Sequence, residues 1–419
     1  MIKRALLKEL QEHLGKKEIT MLVGPRQAGK TTLMRILGEQ LAAKGEKTLF
    51  LNLDFEEDKA YFESQLKLLA KIELELGKEK GFIFIDEIQR KENAGLFLKG
   101  LYDRNIPYKI VVSGSGSIEL KEMLHESLAG RKRVFELTTV NFFEFVNFIT
   151  SYSYENNLPQ YFEVEQEKST ILLEQYLNFG GYPRVVLEDE IREKRQVIDE
   201  IYQSFVSRDI AALLKVVKLD AFTKLLSLLS AQAGSIVNHT ELANTLGLSL
   251  PTVINYLWYA EKTFVINKLL PFFKNRRKEI TKAPVYYFTD PGFGNFINGR
   301  FGNLKKTDDF GFPFQAMVLN IVRDNIRHTS AKINFWRTKD GAEVDLIIDY
   351  THRQVPIEIK FRKMTKPEVT RSFLSFLNDY QPEVAIIVNL SLEETKTIGK
   401  TEVHFLPYYK LPGHQLFGM

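Results

Sequence analysis

The sequence predicts an α/β chain of several domains, and three observations carry that expectation. Four short apolar runs in the first 145 residues (19–23, 47–54, 81–86 and 109–117) have the composition of parallel strands buried on both faces. The first run leads through a glycine-bounded loop into an amphipathic helix starting near Thr31. At 419 residues, the chain has room for about three domains of roughly 150 residues, or two with a large insertion.

Composition narrows the choice. The chain is 44% hydrophobic and 26% charged, ordinary globular usage that sets aside disorder and fibrous repeats. No run approaches the roughly eighteen uncharged apolar residues of a membrane span, so the chain is expected to be soluble, with no membrane partner. The opening MIKRALLKELQEHL carries charge throughout, unlike a signal peptide, and the expected localisation is cytoplasmic. The absence of cysteine excludes disulfide scaffolds, cysteine zinc sites, thiol nucleophiles and iron–sulfur clusters together. Seven scattered histidines with no His-x-x-x-His pair leave little room for a zinc hydrolase. A net charge of +4 is compatible with an acidic partner but does not identify one.

The loop after the first strand reads Gly24-Pro25-Arg26-Gln27-Ala28-Gly29-Lys30-Thr31-Thr32, the spacing of a phosphate-binding P-loop. The glycines let the backbone bend so that successive N–H groups face phosphate oxygens. The helix N-terminus that follows adds partial positive charge. Lys30 would reach the β- and γ-phosphates and the Thr31 hydroxyl would ligate Mg²⁺, so ATP and Mg²⁺ are the expected cofactors. A second strand, GFIFIDEIQR at 81–90, ends in Asp86-Glu87. Asp86 would hold the Mg²⁺ shell and Glu87 would polarise the attacking water. The run at 47–54 lies between the two motifs and, with Glu87, points to the ATP-hydrolysing branch of P-loop folds and away from small GTPases. Ser113 and Ser115 stand where a polar sensor would read the γ-phosphate, and a plain turn would use the same residue types. Arg131, in LAGRKRVFELT, suits a charge-stabilising finger acting in cis or from a neighbouring subunit. It equally suits a solvated basic turn with Lys132 and Arg133.

The motifs GPRQAGKTTL, FIDEIQ, SGS, LAGR, NFFEF, GGYP, SRDI, YYFTDPG, GAEVD and PIEIK occur in that order along nearly the whole chain. In this the chain resembles the prokaryotic AAA+-like (ASCE P-loop) ATPases that carry an appended C-terminal winged-helix and PD-(D/E)xK nuclease-like region. The resemblance implies an ATP-hydrolysing core related to the archaeal ATPases and the STAND-type NTPases. In STAND-type proteins a Gly-x-Pro of the helical lid packs against adenine; carried over, this implies Gly181 and Pro183. A helix C-cap followed by a helix-initiating proline explains the same residues without a ligand. Near 205, Arg208 either approaches phosphate or pairs with Asp209.

Residues 219–290 read as three helices and a strand hairpin, the order of a winged helix, with Gly247 in the turn between the second and third helices. On the third helix Leu250, Val253, Ile254 and Leu257 form an apolar stripe, which leaves Thr252, Asn255, Tyr256 and Tyr259 outward with little positive charge. The basic residues sit on the wing: Lys274, Arg276, Arg277 and Lys278. They suit contacts to DNA phosphates, or a solvated hairpin on a switching module.

Residues 300–419 follow the order helix (313–327), three strands (331–338, 343–350, 354–361), helix (366–379) and strand (383–389). This αβββαβ order is that of restriction-endonuclease-like folds. Glu343 and Asp345 share one strand face, as do Glu358 and Lys360. The three carboxylates would hold a second Mg²⁺ or a Mn²⁺, with Lys360 orienting water or stabilising phosphoryl charge. Gln315 stands where the family's first helix often supplies a glutamate, which weakens metal affinity. A half-buried hairpin with its polar side outward is the alternative.

The predicted organisation is a P-loop NTPase core with a parallel sheet (1–145), a helical lid (146–218), a winged helix (219–299) and a nuclease-like domain (300–419). The expected activity is Mg²⁺-dependent ATP hydrolysis whose nucleotide state controls C-terminal domains acting on DNA. The alternative is an ATP-gated signalling or defence switch whose nuclease-like module binds without cutting. DNA, a protein partner and a second copy of the chain stay open as partners.

Overall fold

Strands β1 (Ile19–Gly24) and β3 (Gly81–Asp86) are buried at every position, as continuous apolar runs require when helices cover both faces of a sheet. Between and beside them run β2 (Thr48–Asn52), β4 (Tyr108–Ser115) and β5 (Lys132–Glu136). In this computed structural model the five strands form one parallel sheet in the order β2-β3-β4-β1-β5. Alternation along the strands divides the two cores. Ile19, Met21, Val23, Ile83 and Ile85 pack toward helices 65–76 and 94–103. Leu22, Phe82 and Phe84 pack on the opposite face toward helices 6–13 and 30–43. Because the sheet is parallel, the C-terminal ends of β1, β3 and β4 lie along one edge.

The structure describes residues 1–115, 128–211, 219–273 and 283–417, and these fall into two units. The parallel sheet belongs to the unit drawn from Met1–Ile149, Gly181–Val217 and Trp258–Val265. The other unit is drawn from Thr150–Gly180, Lys218–Leu257 and Ile266–Met419.

Helices 219–231, 239–246 and 250–262 precede an antiparallel pair, β6 (Ile266–Pro271) and β7 (Val285–Phe288). The third helix is rotated from the expected stripe. Val253, Tyr256 and Leu257 are buried, whereas Leu250 and Ile254 are 39% and 46% exposed. Tyr256 turns inward because its ring meets Phe222 edge-on at 5.6 Å between centroids, an arrangement that favours aromatic pairs beyond their burial.

Strand β6 also pairs with β8 (Lys332–Arg337) and so joins a larger sheet. That sheet continues through β9 (Glu343–Asp349), β10 (Gln354–Ile359), β11 (Val384–Asn389) and the hairpin β12 (Glu394–Ile398) and β13 (Thr401–Pro407). The eight strands run in the order β12-β13-β11-β10-β9-β8-β6-β7. Strands β8, β9 and β10 are antiparallel neighbours, while β10 and β11 are parallel across helix 371–380. With helix 311–326 in front, the chain follows helix, three strands, helix, strand. The second helix begins at Arg371, not near 366, because Thr370 caps it: its hydroxyl accepts from Phe373 N at 3.2 Å. The β12–β13 hairpin, turning at Gly399 with φ +61°, lies beyond the elements expected from sequence. Among the described residues no helix is long and apolar enough to cross a membrane.

Candidate functional site

The loop after β1 is shaped by its glycines. At Gly24, with φ +154°, a β-carbon would lie 2.1 Å from the Leu137 carbonyl oxygen, so no other residue fits. Gly29 is left-handed at φ +98° and immediately precedes helix 30–43, whose first N–H groups therefore open onto the loop. Lys30 is buried, and its Nζ donates to the carbonyl oxygens of Gly24 (3.0 Å) and Pro25 (2.8 Å). Burial pushes its pKa down to about 8, against the opposing pull of Glu87, Asp209 and Asp86.

Three adjacent elements meet at Asp86, at the end of β3. Thr31 Oγ1 donates to Asp86 Oδ2 at 2.7 Å, and the Ser113 hydroxyl donates to Asp86 Oδ1. The β1–β4 register, Leu22 opposite Ser113, brings that serine to the edge. Of the two sensor candidates Ser113 is the one at Asp86; the Ser115 side chain lies outside the described residues. Glu87 is left-handed at φ +56°, and its N–H faces Asp86 Oδ1 (3.2 Å) and Ser113 Oγ (3.4 Å). Its carboxylate accepts from Gln89 Nε2. Burial raises the Glu87 pKa and Asp86 adds to the rise, while Lys30 opposes it. A carboxylate moved upward in this way is a better proton acceptor near neutral pH.

The lid candidates border the same loop. Gly181 O accepts from Val140 N at 2.8 Å. Pro183 Cγ lies 3.9 Å from where a β-carbon on Gly29 would sit. Two further contacts escaped the sequence reading. Arg4 spreads its guanidinium over Glu144 (2.9 Å), Ala28 O (3.0 Å), Thr138 O (2.7 Å) and Thr139 O (3.1 Å), which ties the loop to the β5 end. Asp209 pairs with Arg26 of the loop at 2.9 Å, 183 residues away in sequence, and Arg208 is exposed. No local pattern could have found either, since both depend on tertiary approach.

Arg131 requires a correction. Ile19 N donates to Arg131 O at 2.9 Å, which places Arg131 at the N-terminal edge of the sheet. At ~3.3 Å per strand residue this is roughly 17 Å from Gly24. Its guanidinium pairs with Asp103 at 2.7 Å. A finger acting in cis on this loop is therefore excluded by position. The wing residues Lys274, Arg276, Arg277 and Lys278 lie outside the described residues.

The carboxylates of β9 and β10 also differ from expectation. Ile357 pairs with Leu346, so Asp345 and Glu358 face each other on neighbouring strands. Asp345 accepts from Gln315 Nε2 at 3.0 Å and from Ile359 N at 2.6 Å, one donor on each oxygen. Burial, with Glu358 opposite, holds its carboxyl well above the usual range. Glu358 is held by Lys360 (2.6 Å) and Thr370 Oγ1 (3.1 Å). Glu343 turns away toward Arg337 at 3.5 Å, its side chain 60% exposed. Among the described residues no three His, Cys, Asp or Glu side chains are placed to hold one ion. Glu343, Asp345 and Glu358 thus do not converge on one ion as expected; each is engaged by its own cation or donor.

Residues 16–146 match the family described as AAA domain. Residues 170–304 and 310–411 match two families each described as a domain of unknown function, DUF8612 and DUF4143. An uncharacterized protein of Mycobacterium tuberculosis (strain ATCC 25618 / H37Rv) is 26% identical over 375 residues, 89% of this chain and 76% of that protein. Another, from Methanocaldococcus jannaschii, is 26% identical over 383 residues, 85% of this chain and 78% of its own length. Among solved structures, the Aeropyrum pernix ORC2 protein in its ADP form overlaps at a TM-score of 0.33 and 12% identity, over 72% of this chain and 95% of that one. AMPPCP-bound DnaA from Aquifex aeolicus overlaps at 0.26 and 16% identity, over 61% and 86%. The AAA match spans the loop, Asp86, Ser113 and all five parallel strands, so this segment is similar to AAA domains and has the parallel sheet of a P-loop NTPase core.

Proposed function

We propose that the chain is a Mg²⁺-dependent ATPase working at the edge of the parallel sheet. The observation that carries this reading is the meeting of Thr31, Asp86 and Ser113 beside the buried Lys30. A hydroxyl and a carboxylate are hard oxygen donors, the set Mg²⁺ takes. Bound there, Mg²⁺ would neutralise charge on the β- and γ-phosphates. Lys30 exchanges two backbone carbonyls for phosphate oxygens, and the loop from Gly24 to Thr32 wraps them with N–H groups. Glu87 accepts the proton of the attacking water, and Ser113 ties Glu87 to Asp86. Gly181 and Pro183 form the flank against which the base packs. Arg131, at the far edge of the sheet, would act as a finger only on a neighbouring copy.

For the C-terminal half we read 219–299 as a winged helix and 300–419 as nuclease-like in fold, in a cytoplasmic protein. The Lys360 ion pair on Glu358 and the two donors on Asp345 favour binding without cutting. The basic wing, Lys274, Arg276, Arg277 and Lys278, makes DNA phosphate the partner chemistry to test. ATP state would then govern what this half binds. The direct test is calorimetry with ATP and Mg²⁺ on the full chain, followed by turnover. Lys30→Ala should weaken binding about tenfold or more, and Glu87→Gln should bind normally but hydrolyse about a hundredfold more slowly. Wild-type protein that binds neither ATP nor GTP would overturn the reading.

A further inference from the structure

A P-loop asks of its central positions only a backbone able to turn, yet this one carries Arg26 with its side chain largely withdrawn from solvent. Its guanidinium grips Asp209 with two donors, Nε to Oδ2 at 2.9 Å and Nη2 to Oδ1 at 3.3 Å. The side chains are only 19% and 9% exposed. Forked geometry of this kind fixes orientation as well as distance. Burial works against the arginine's charge, but Asp209 outweighs it, and Glu87 and Asp54 act in the same sense. Lys30 in turn feels Glu87, Asp209, Asp86 and Arg26.

The backbone around Asp209 is also unusual. Helix 191–204 runs into a π-helical turn over Phe205–Ile210. The wider turn buries Ile210 five residues after Phe205 and leaves Arg208 exposed. Asp209 is thereby aimed at the loop. Single π-turns inside helices are uncommon and concentrate at functional sites.

We propose that Asp209 is a positioning residue of the ATP site, holding the Arg26 guanidinium on the Lys30–Glu87 side of the loop as a fixed positive charge for the terminal phosphate. This rests on the ATPase reading above. Its physical advantage is preorganisation. A free arginine must be ordered when charge develops, whereas one already clamped stabilises that charge without reorganising. Lysine at position 30 supplies a point charge, and arginine adds a planar fork suited to two phosphate oxygens.

A double-mutant cycle on the full chain tests the assignment. Asp209→Asn, which keeps the shape and removes the charge, should lower kcat about tenfold, with KM for ATP changed less than about threefold. Arg26→Ala should lower kcat at least as much. On the Arg26→Ala background, Asp209→Asn should cost nothing further, because its target is gone. Asp209→Glu, which keeps the charge, should recover part of the lost kcat; it also serves if Asp209→Asn fails to fold. Multiplying effects in the double variant would mean that Asp209 does not act through Arg26, and would overturn the proposal. So would an Asp209→Asn protein that melts earlier without nucleotide but turns over ATP as wild type does. Wild-type protein that turns over no ATP, with Lys30→Ala indistinguishable from it, would instead remove the ATPase reading and this inference together.

Discussion

Gly181→Ala tests how the 181–183 turn is held near the phosphate loop with the smallest available perturbation. A β-carbon at Gly181 would lie 1.9 Å from the Val140 carbonyl oxygen and 2.9 Å from its carbon. Carbon contacts are comfortable at ~3.5 Å, so one backbone segment must move by more than about 1 Å. Neither party is the tip of a flexible side chain. Gly181 is not among the glycines held at positive φ, so crowding alone operates. The same two residues share the 2.8 Å bond from Val140 N to Gly181 O, which would stretch with the shift. Overpacking of this kind costs about 1–3 kcal/mol, and the weakened hydrogen bond adds up to ~1 kcal/mol. A destabilisation of about 2–4 kcal/mol is therefore expected. Pro183, two residues on, would withdraw from Gly29, and ATP should bind about tenfold more weakly. Urea titration and calorimetry read the two effects. Gly15→Ala is the control, because nothing lies within 4 Å of its β-carbon position. A Gly181→Ala protein matching Gly15→Ala in urea midpoint and ATP affinity would refute the reasoning.

Burial, with Lys109 and Arg133 nearby, pushes the His13 pKa down from 6.5 to about 4. The unfolded chain then binds this proton more readily than the folded one, so the stability tied to His13 is complete above about pH 6.5 and is lost as pH falls toward 4. The urea midpoint of His13→Gln should fall less over that window than wild type, and parallel curves would contradict it. In the C-terminal half, the protein partners of Asp345 and Glu358 predict that millimolar Mn²⁺, without nucleotide, leaves the melting temperature unchanged. A Mn²⁺-dependent rise that disappears in Asp345→Ala would restore a metal site there.

The parts of the site legible in sequence are those in which chemistry and chain proximity coincide. Lys30 and Thr31 are adjacent, and Asp86 ends an apolar run whose burial requires a central strand. Ser113 could be named only with Ser115, because the choice depends on the β1–β4 register. Arg26 and Asp209 lie 183 residues apart, and no local spacing anticipates their pairing. In helix 250–262 a 3.6-residue period allows neighbouring stripes, and Phe222 decides for Tyr256 over Ile254.

The carboxylates of β9 and β10 show why alternation falls short as a guide to chemistry. Period two correctly puts Asp345 and Glu358 on facing positions of adjacent strands. It says nothing of what neutralises them. A carboxylate held by charged or fixed donors must share or give up those bonds to take a metal, and here each has such a partner. Gln315 and Ile359 N hold Asp345, Lys360 and Thr370 hold Glu358, and Arg337 draws Glu343 toward solvent. The P-loop side differs in proportion. There Asp86 takes two of its bonds from the hydroxyls of Thr31 and Ser113, which can rotate when a cation arrives, beside the fixed Glu87 N–H. That difference in donor chemistry is why the one site is read as catalytic and the other as a binding surface.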